Sequence, residues 1–168
     1  MSASAHWIPA YIGLGSNLDG PAGQISRAIE ALARLPESRL AAVSPCYLNP
    51  PMGPQDQPNY MNAVAALLTR LGPAELLSRL QIIEREAGRR RDNGPRWGPR
   101  RIDLDILAYA SRVVDRDELK IPHPGICERN FVLFPLLDLA PELEIPGCGV
   151  VRELAKRVDG STLHKTNE

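Results

Sequence analysis

The sequence lacks several features that define common classes of protein. Its 168 residues carry no net charge, with 20 basic and 20 acidic side chains, which excludes a uniformly basic chain that binds nucleic acid. The three cysteines, Cys46, Cys127 and Cys148, are far apart and have no Cys-x-x-Cys spacing, so we expect reduced thiols rather than a disulfide scaffold or a zinc site. The N-terminus shows no signal-peptide pattern, and the longest apolar run without proline, 63–68, is too short to cross a membrane. These absences predict a cytoplasmic protein that binds no membrane.

The length and the 43% of apolar residues are sufficient for one hydrophobic core. We expect a single domain over 1–168, with a core at about 8–158 and flexible ends. The tail after Gly160 is expected to be disordered, and the chain to act as a monomer.

Hydrophobic periodicity predicts an alternation of strands and helices. Prolines and glycines separate the elements, and a long Pro-rich loop covers 49–58. The order strand, helix, strand, strand, helix, strand is typical of a ferredoxin-like αβα sandwich with a mainly antiparallel central sheet, an α+β fold. A hairpin strand at 113–114 and a short helix near 151–158 are expected to follow. The six main elements are predicted at 7–14, 24–35, 40–48, 60–69, 73–88 and 102–109.

Arginine is concentrated in one loop. Only three of the 20 basic residues are lysines, and arginine favours forked binding of oxyanions, so a phosphate ligand is indicated. A solvated basic loop is the alternative. Six arginines lie within thirteen residues: Arg89, Arg90, Arg91, Arg96, Arg100 and Arg101.

Two carboxylates follow this loop directly. In a strand, Asp103 and Asp105 point to the same face at a separation of roughly 7 Å, while Ile102, Leu104 and Ile106 pack on the other face. A Mg²⁺ ion would remove the repulsion between the two acids, and it binds through one or two carboxylates together with phosphates. An exposed strand face that carries two acids is the alternative.

Other polar and aromatic residues are candidates for binding. His123 lies between two prolines and is placed to contact a phosphate, although a satisfied loop residue is the commoner case. Gln81 and Glu84 share one helix face and either meet a nucleotide or are solvated. Aromatic residues could stack on a flat heterocycle, with core packing as the alternative for Phe131. The aromatic candidates are Tyr60, Trp97 and Phe131.

Six ordered segments together form a more specific pattern. They are Tyr11-Ile-Gly-Leu-Gly-Ser-Asn17, Gly53-Pro-Gln-Asp-Gln-Pro-Asn-Tyr-Met-Asn62, Arg96-Trp-Gly-Pro-Arg100, Asp103-Leu-Asp105, Ile121-Pro-His123 and Glu128-Arg-Asn-Phe-Val-Leu133. In order and spacing they resemble the 6-hydroxymethyl-7,8-dihydropterin pyrophosphokinase family of folate biosynthesis, over roughly residues 8–145. The resemblance implies transfer of pyrophosphate from ATP to the hydroxymethyl group of the pterin, with release of AMP.

The resemblance also implies roles for individual residues. Two Mg²⁺ ions would be held by Asp103 and Asp105, which with Arg89 and Arg100 form the catalytic set; no general base is assigned. ATP is expected to contact Gln81, Glu84, Arg89, Arg91, Arg100, Ile106 and His123. The pterin is expected to contact Asn49, Pro50, Gly53, Tyr60, Asn62, Trp97 and Phe131.

Some positions depart from the family pattern. Asn49 stands where threonine is common, Gly125 stands where an arginine often follows His-Pro, and the arginine loop is about one residue longer than in some members. We expect these changes to affect loop closure rather than the type of reaction. The loops near Asn17, at 49–58 and at 88–101 are expected to be mobile when empty and to close over both substrates.

Two other functions are compatible with parts of the pattern. A ferredoxin-like RNA-binding module could use the arginine loop to bind phosphates, but such modules expose aromatic residues where this strand carries acids. A Mg²⁺-dependent nuclease could use the two aspartates, but it would need a further carboxylate near them.

Overall fold

The computed structural model describes residues 5–51, 56–88 and 101–166. The described residues form four helices and ten strands. The helices are α1 (Pro21–Ala33), α2 (Pro73–Glu86), α3 (Asn130–Leu139) and α4 (Val151–Ala155). The strands are β1 (Ile8–Ser16), β2 (Ser38–Val43), β3 (Tyr47–Asn49), β4 (Tyr60–Thr69), β5 (Asp103–Tyr109), β6 (Val114–Asp115), β7 (Lys120–Ile121), β8 (Glu144–Ile145), β9 (Gly149–Val150) and β10 (His164–Lys165).

One mainly antiparallel sheet organises the molecule. Its strand order is β10-β3-β4-β1-β5, and β2 pairs with the same edge of β4 as β3 does. The long strands β1 and β4 lie side by side in the sheet, and most of the apolar side chains of β4 are buried on both faces, as expected for a central strand. Two small hairpins, β6-β7 and β8-β9, lie outside this sheet.

Helices cover both faces of the sheet. Side chains of α1 and α2, such as Ile25 and Leu80, pack with Ile12 of β1 in one buried cluster. On the opposite face, Leu133 of α3 and Leu154 of α4 pack with residues of β4 and β5 in a second cluster. Because α3 and α4 cover only part of this second face, the rest of it is free to form a binding surface.

Two elements differ from the boundaries predicted by periodicity. Helix α1 begins at Pro21, three residues early, because Gly20 takes a left-handed conformation (φ 75°) that starts the helix and proline suits its first position. The single strand predicted at 40–48 is two strands, β2 and β3. It breaks at Ser44, whose hydroxyl accepts a hydrogen bond from the backbone N–H of Val64 at 2.9 Å, and Pro45 has no N–H to continue the ladder.

Helix α3 has no counterpart among the predicted elements. Pro135 lies inside it, and proline ordinarily argues against a helix interior. The segment is apolar on nearly all sides, with Val132, Leu133 and Leu136 buried, because it packs between the sheet and α4. Burial in the tertiary structure therefore stabilises this helix, and its sequence shows no amphipathic pattern from which the helix could be predicted.

Among the described residues, the C-terminal tail after Gly160 contains a strand, β10. Strand β10 pairs antiparallel with β3, placing Lys165 opposite Tyr47. The Lys165 ammonium lies 3.3 Å from a carboxylate oxygen of Asp138 on α3, and the Tyr47 hydroxyl donates a hydrogen bond to the same carboxylate. Burial, together with the Asp138 carboxylate, raises the pKa of Tyr47 and keeps it a donor. The tail thus anchors β3 to α3.

The expectation of reduced thiols is wrong for two of the three cysteines. Cys127 and Cys148 form a disulfide with a Cα–Cα distance of 6.0 Å, and Cys46 is not part of a disulfide. The pair is separated by 21 residues in the chain, and only the packing of the turn before α3 against the β8-β9 hairpin brings it together. Among the described residues, no helix is long and apolar enough to cross a membrane.

Candidate active site

A cavity of about 180 Å³ opens on the face of the sheet that carries α3. Strands β1, β4 and β5 form its floor, and β3, α3 and the segment after β7 form its walls. Its lining residues are Gly13, Leu14, Gly15, Asn49, Tyr60, Asn62, Ala63, Val64, Asp103, Asp105, Leu107, His123, Arg129, Phe131 and Val132.

Sheet register aligns the polar groups of the floor. Gly15 of β1 lies opposite Asn62 of β4 on one side and opposite Asp103 of β5 on the other. The amide group and the carboxylate therefore lie in one row across three strands, although 41 positions separate them in the chain. Gly15 between them carries no side chain, which leaves space above the row.

The two glycines of β1 are required by close approach. A Cβ atom on Gly15 would lie 2.9 Å from Oδ1 of Asn62, and one on Gly13 would lie 3.2 Å from a methyl group of Leu107. The strand predicted at 7–14 stops before Gly15, but both glycines belong to β1, which continues to Ser16. A glycine inside a strand marks such a close approach, and this signal could have identified the cavity floor.

A buried pair of amides lies at one end of the cavity. Asn62, which is 8% exposed, donates a hydrogen bond from Nδ2 to Oδ1 of Asn49, and Asn49 donates from Nδ2 to the carbonyl of Pro50 at 3.0 Å. These bonds fix the orientation of the Asn62 amide. The rings of Tyr60 and Phe131 line the same cavity from β4 and α3. Flat apolar surfaces beside fixed polar groups are suited to a heterocycle.

The segment that leads into β4 is attached to the loop after β1. The Asn17 side chain, 2% exposed, donates to Oε1 of Gln57 at 3.0 Å and to the carbonyl of Pro58 at 2.9 Å. These bonds fix the chain immediately before Tyr60, and they give Asn17 a positioning role at the edge of the cavity.

The two aspartates of β5 face the cavity, as strand alternation predicts. Leu104 between them points into the core on the other face and is 2% exposed. The backbone N–H of Leu104 donates to Oε2 of Glu84 at 2.9 Å, which attaches this part of β5 to α2. The side chain of Asp105 is 42% exposed, so it remains open to solvent or to a ligand.

The carboxylate ligands at this site suit a cation that also keeps ligands from outside the protein. Among the described residues, no group of three or more His, Cys, Asp or Glu side chains converges to hold a metal ion. Two carboxylates on one face match Mg²⁺, which binds through few protein ligands together with water and phosphate, rather than a closed protein cage.

His123 lies beside Asp105 and is held by backbone contacts. The backbone N–H of His123 donates to the carbonyl of Leu107 at 3.0 Å, and its ring Nδ1 accepts from the backbone N–H of Gly125 at 3.1 Å. Burial and, to a smaller extent, the positive charge of Arg129 lower the pKa of His123 to about 4, against the opposing effect of Asp103. The ring is therefore neutral at physiological pH, and its Nε2, 3.9 Å from Oδ2 of Asp105, forms no ion pair in that state.

Arg129 is a site residue that sequence analysis did not assign. It lies at the start of α3 and lines the cavity, with its guanidinium carbon 5.9 Å from the centre of the Phe131 ring. Its position two residues before Phe131, inside a quoted family segment, was the available signal. It places a permanent positive charge at the cavity, near the two aspartates and His123.

The remaining predicted site residues lie elsewhere. Pro50 is exposed beside the cavity, Gln81 lies on α2, and Ile106 is a core residue on the opposite face of β5. Glu84 is 1% exposed, behind β5. None of these four lines the cavity, and their roles stay predictions. Gly53, Arg89, Arg91, Trp97 and Arg100 lie outside the described residues, as do Arg90 and Arg96.

Comparison with known proteins gives a consistent result. Residues 11–141 match the family described as 7,8-dihydro-6-hydroxymethylpterin-pyrophosphokinase. The chain is 54% identical over 136 residues to a 2-amino-4-hydroxy-6-hydroxymethyldihydropteridine pyrophosphokinase of Pseudomonas aeruginosa, covering 81% of this chain and 83% of that protein. A protein of the same name from Haemophilus influenzae is 43% identical, over 95% of this chain and 99% of that protein.

Solved structures support the fold. A crystal structure of Plasmodium falciparum HPPK-DHPS with pterin and p-hydroxybenzoate aligns with a TM-score of 0.70 at 12% identity, over 95% of this chain. The chain spans 47% of the length of that protein. At this low identity the likeness concerns the arrangement of the mixed α/β fold and its mainly antiparallel sheet.

Proposed function

The chain belongs to the 7,8-dihydro-6-hydroxymethylpterin-pyrophosphokinase family, and we propose that the cavity on the α3 face of its sheet is where the family reaction takes place. The protein is a pyrophosphokinase of folate biosynthesis: it transfers the pyrophosphoryl group of ATP to the hydroxymethyl group of 6-hydroxymethyl-7,8-dihydropterin. The RNA-binding alternative has no support among these relatives.

One observation carries the proposed location. The cavity joins a slot for a flat ring, lined by Tyr60, Phe131 and the fixed amide of Asn62, to an acidic edge formed by Asp103 and Asp105. A pterin bound in the slot would direct its hydroxymethyl group towards that edge. A pair of carboxylates beside an aromatic slot is the arrangement that a metal–triphosphate and a heterocyclic acceptor require.

The reaction exchanges one P–O bond for another. The hydroxymethyl oxygen forms a bond to the β-phosphorus of ATP and loses its proton to solvent, the bond between that phosphorus and the oxygen of the α-phosphate breaks, and AMP leaves. Such a transfer depends on alignment and charge neutralisation more than on a strong base. We therefore propose that the slot for the flat ring aligns the acceptor, and we assign no general base.

Mg²⁺, when bound with ATP, would supply the positive charge that lets phosphates share the site with two carboxylates. Asp103 and Asp105 would hold it, and two ions are expected from the resemblance. Arg129 would bind a phosphate oxygen as a fixed cation, and the neutral His123 would donate from Nε2 to another, because its Nδ1 is already an acceptor.

Several finer proposals accompany this assignment. Three residues of the arginine loop, Arg89, Arg91 and Arg100, are proposed to bind the phosphates. Trp97 and Gly53 are proposed to bind the pterin, and the loops near Asn17, at 49–58 and at 88–101 are proposed to close over both substrates.

The strand order β3-β4-β1-β5, with α1 and α2 on one face, supports a ferredoxin-like sandwich. One sheet joins strands from both ends of the chain, which supports a single domain, and ATP as co-substrate supports a cytoplasmic location. A monomer remains the proposed state.

The test is AMP release from ATP with Mg²⁺, with and without 6-hydroxymethyl-7,8-dihydropterin, followed by chromatography of both products. We expect AMP and a pyrophosphorylated pterin in equal amounts, only when all three components are present. Removal of Mg²⁺ by a chelator should stop the reaction, and excess Mg²⁺ should restore it. AMP release that is indifferent to the pterin would contradict the proposed acceptor, and full activity without a divalent cation would contradict the metal.

A further inference from the structure

The last eight residues that the structure describes, 159–166, lie along α3 and are called the C-terminal strap. At the start of α3 the Asn130 side chain donates from Nδ2 to the carbonyl of Asp159 at 2.8 Å. One turn further along the helix, Gly160 packs so closely on the ring of Phe134 that a Cβ atom there would lie 2.7 Å from Cζ of the ring. Asn130 and Phe134 are four residues apart and share one face of α3, so the strap follows that face.

The end of the strap joins α3 to β3. Asp138 lies on the same face of α3 after a further turn, and its two carboxylate oxygens have different partners. Oδ1 lies 3.3 Å from Nζ of Lys165 in the strap, and Oδ2 accepts a hydrogen bond from the hydroxyl of Tyr47 in β3. Strand β10 pairs with β3, and the N–H of Thr166 donates to the carbonyl of Cys46 at 2.9 Å. One carboxylate therefore connects the helix, the strap and the strand.

The strand held in this way carries one side of the ring slot. Tyr47 and Asn49 are two residues apart in β3, so they point to the same face of the sheet, and both are buried. Asn49 accepts the hydrogen bond from the Asn62 amide, and Phe131 of α3 lines the same cavity. Because β3 has three residues, its pairing with β4 supplies few hydrogen bonds. The location of Asn49 relative to Phe131 therefore depends on the contacts that hold β3 against α3.

We propose that the C-terminal strap is a positioning element of the ring slot: Lys165 and Tyr47, through Asp138, hold β3 against α3 at the spacing that the pterin ring requires. The proposal rests on the proposed function of the cavity. Its physical basis is that the affinity for a ligand falls with the fraction of molecules in which the binding slot is formed. None of these three residues lines the cavity, so an effect on pterin binding must act through β3 and α3.

The structure also predicts which substrate is affected. Helix α3 is attached to the sheet by buried side chains such as Leu133 and Leu136, so loss of the strap contacts should displace β3 rather than the helix. Asp103 and Asp105 lie on β5, and β4 and β1 separate that strand from β3. Weaker contacts at Asp138 should therefore raise KM for the pterin and leave KM for ATP unchanged.

The test compares the wild-type protein with Tyr47→Phe and Lys165→Ala. For each we would measure kcat, KM for both substrates, the melting temperature, and calorimetric binding of 6-hydroxymethyl-7,8-dihydropterin in the presence of Mg²⁺ and a non-hydrolysable ATP analogue. We expect KM and the dissociation constant for the pterin to rise about tenfold in Tyr47→Phe and about threefold in Lys165→Ala, whose ion pair is partly exposed. KM for ATP should stay within about twofold of the wild-type value.

Tyr109→Phe and Lys156→Ala are the matched controls. Tyr109 is 3% exposed and donates from its hydroxyl to the carbonyl of Leu71, at the opposite end of β5 from the two aspartates. Nζ of Lys156 lies 3.3 Å from a carboxylate oxygen of Glu153 on α4, the same distance as in the Lys165 pair. Tyr109→Phe should lower the melting temperature, and both controls should keep the wild-type KM values.

Three results would overturn the positioning role: wild-type pterin binding in Tyr47→Phe, equal increases in KM for both substrates, or a rise in KM for the pterin in Tyr109→Phe as large as in Tyr47→Phe. The last would show a general effect of lower stability. A wild-type protein that binds the pterin but makes no pyrophosphorylated product would instead contradict the proposed function, and the calorimetric comparison would still decide the role of the strap. A wild-type protein that does not bind the pterin would contradict both.

Discussion

Replacing Glu84 with alanine is expected to destabilise the protein before it affects nucleotide binding. The Glu84 side chain is 1% exposed on α2, and its Oε2 accepts the backbone N–H of Leu104 at 2.9 Å. Leu104 lies between the two aspartates of the candidate site, so this bond joins α2 to the part of β5 that carries them. The resemblance implied contact with ATP for Glu84, and the structure adds a bond inside the fold.

The cost follows from the groups that lose contacts. In Glu84→Ala the N–H of Leu104 is left without this acceptor in a buried position, which costs about 1–3 kcal/mol. Removing the Cγ methylene adds about 0.8 kcal/mol of lost apolar burial. We therefore expect the free energy of unfolding to fall by about 2–4 kcal/mol. Glu84→Gln keeps an oxygen that can accept the same bond, so its loss should stay within about 1 kcal/mol.

Urea unfolding of the two variants and the wild type, without substrates, measures this difference. Gln81→Ala on the same helix, at a partly exposed position, is the control and should unfold as wild type does. If the free energy of unfolding of Glu84→Ala lies within about 0.5 kcal/mol of the wild-type value but the variant has lost affinity for ATP, the structural role is refuted and direct nucleotide contact is supported.

Three further predictions concern the cavity. Changing Asp103 and Asp105 together to asparagine should reduce AMP release by at least about 100-fold with an unchanged unfolding midpoint, and a variant that keeps a tenth of the activity would contradict their role. Gly15→Ala places a methyl group 2.9 Å from Oδ1 of Asn62, so KM for the pterin should rise about tenfold while KM for ATP does not change; equal effects on both substrates would exclude a specific effect on the pterin slot. Because the pKa of His123 is lowered from 6.5 to about 4, the unfolded state takes up a proton that the folded state resists. In metal-free protein the free energy of unfolding should therefore fall as the pH is lowered from 6.5 to 4, by up to about 3 kcal/mol for this group, and it should be constant above that window. His123→Gln should show a flatter dependence in the same titration, and an identical dependence would be inconsistent with the cause given.

The main elements could be predicted because their signals are local. The apolar spacing of α1 and α2 and the alternation of Asp103, Leu104 and Asp105 are properties of neighbouring residues. The kind of ligand could also be predicted from residue type, because carboxylates on one strand face indicate a cation and clustered arginine side chains indicate an oxyanion. The structure brings seven predicted residues to one cavity: Asn49, Tyr60, Asn62, Asp103, Asp105, His123 and Phe131.

Features that depend on distant partners could not be predicted in this way. Helix α3 forms despite Pro135 because both of its sides are buried, and the disulfide forms because a turn and a hairpin meet in space. The strand in the C-terminal tail depends on β3, to which β10 adds as an edge strand.

The sequence by itself therefore determined the order of the main elements, because these follow from local periodicity, and through its resemblance to a family it indicated the reaction class and seven of the residues that line the cavity. Only the tertiary structure decided which groups meet: that Glu84 supports β5 from behind and that Gly15 leaves room beside Asn62. The physical reason is that strand register and side-chain packing, which set distances of a few ångströms, are properties of the whole fold and not of any segment.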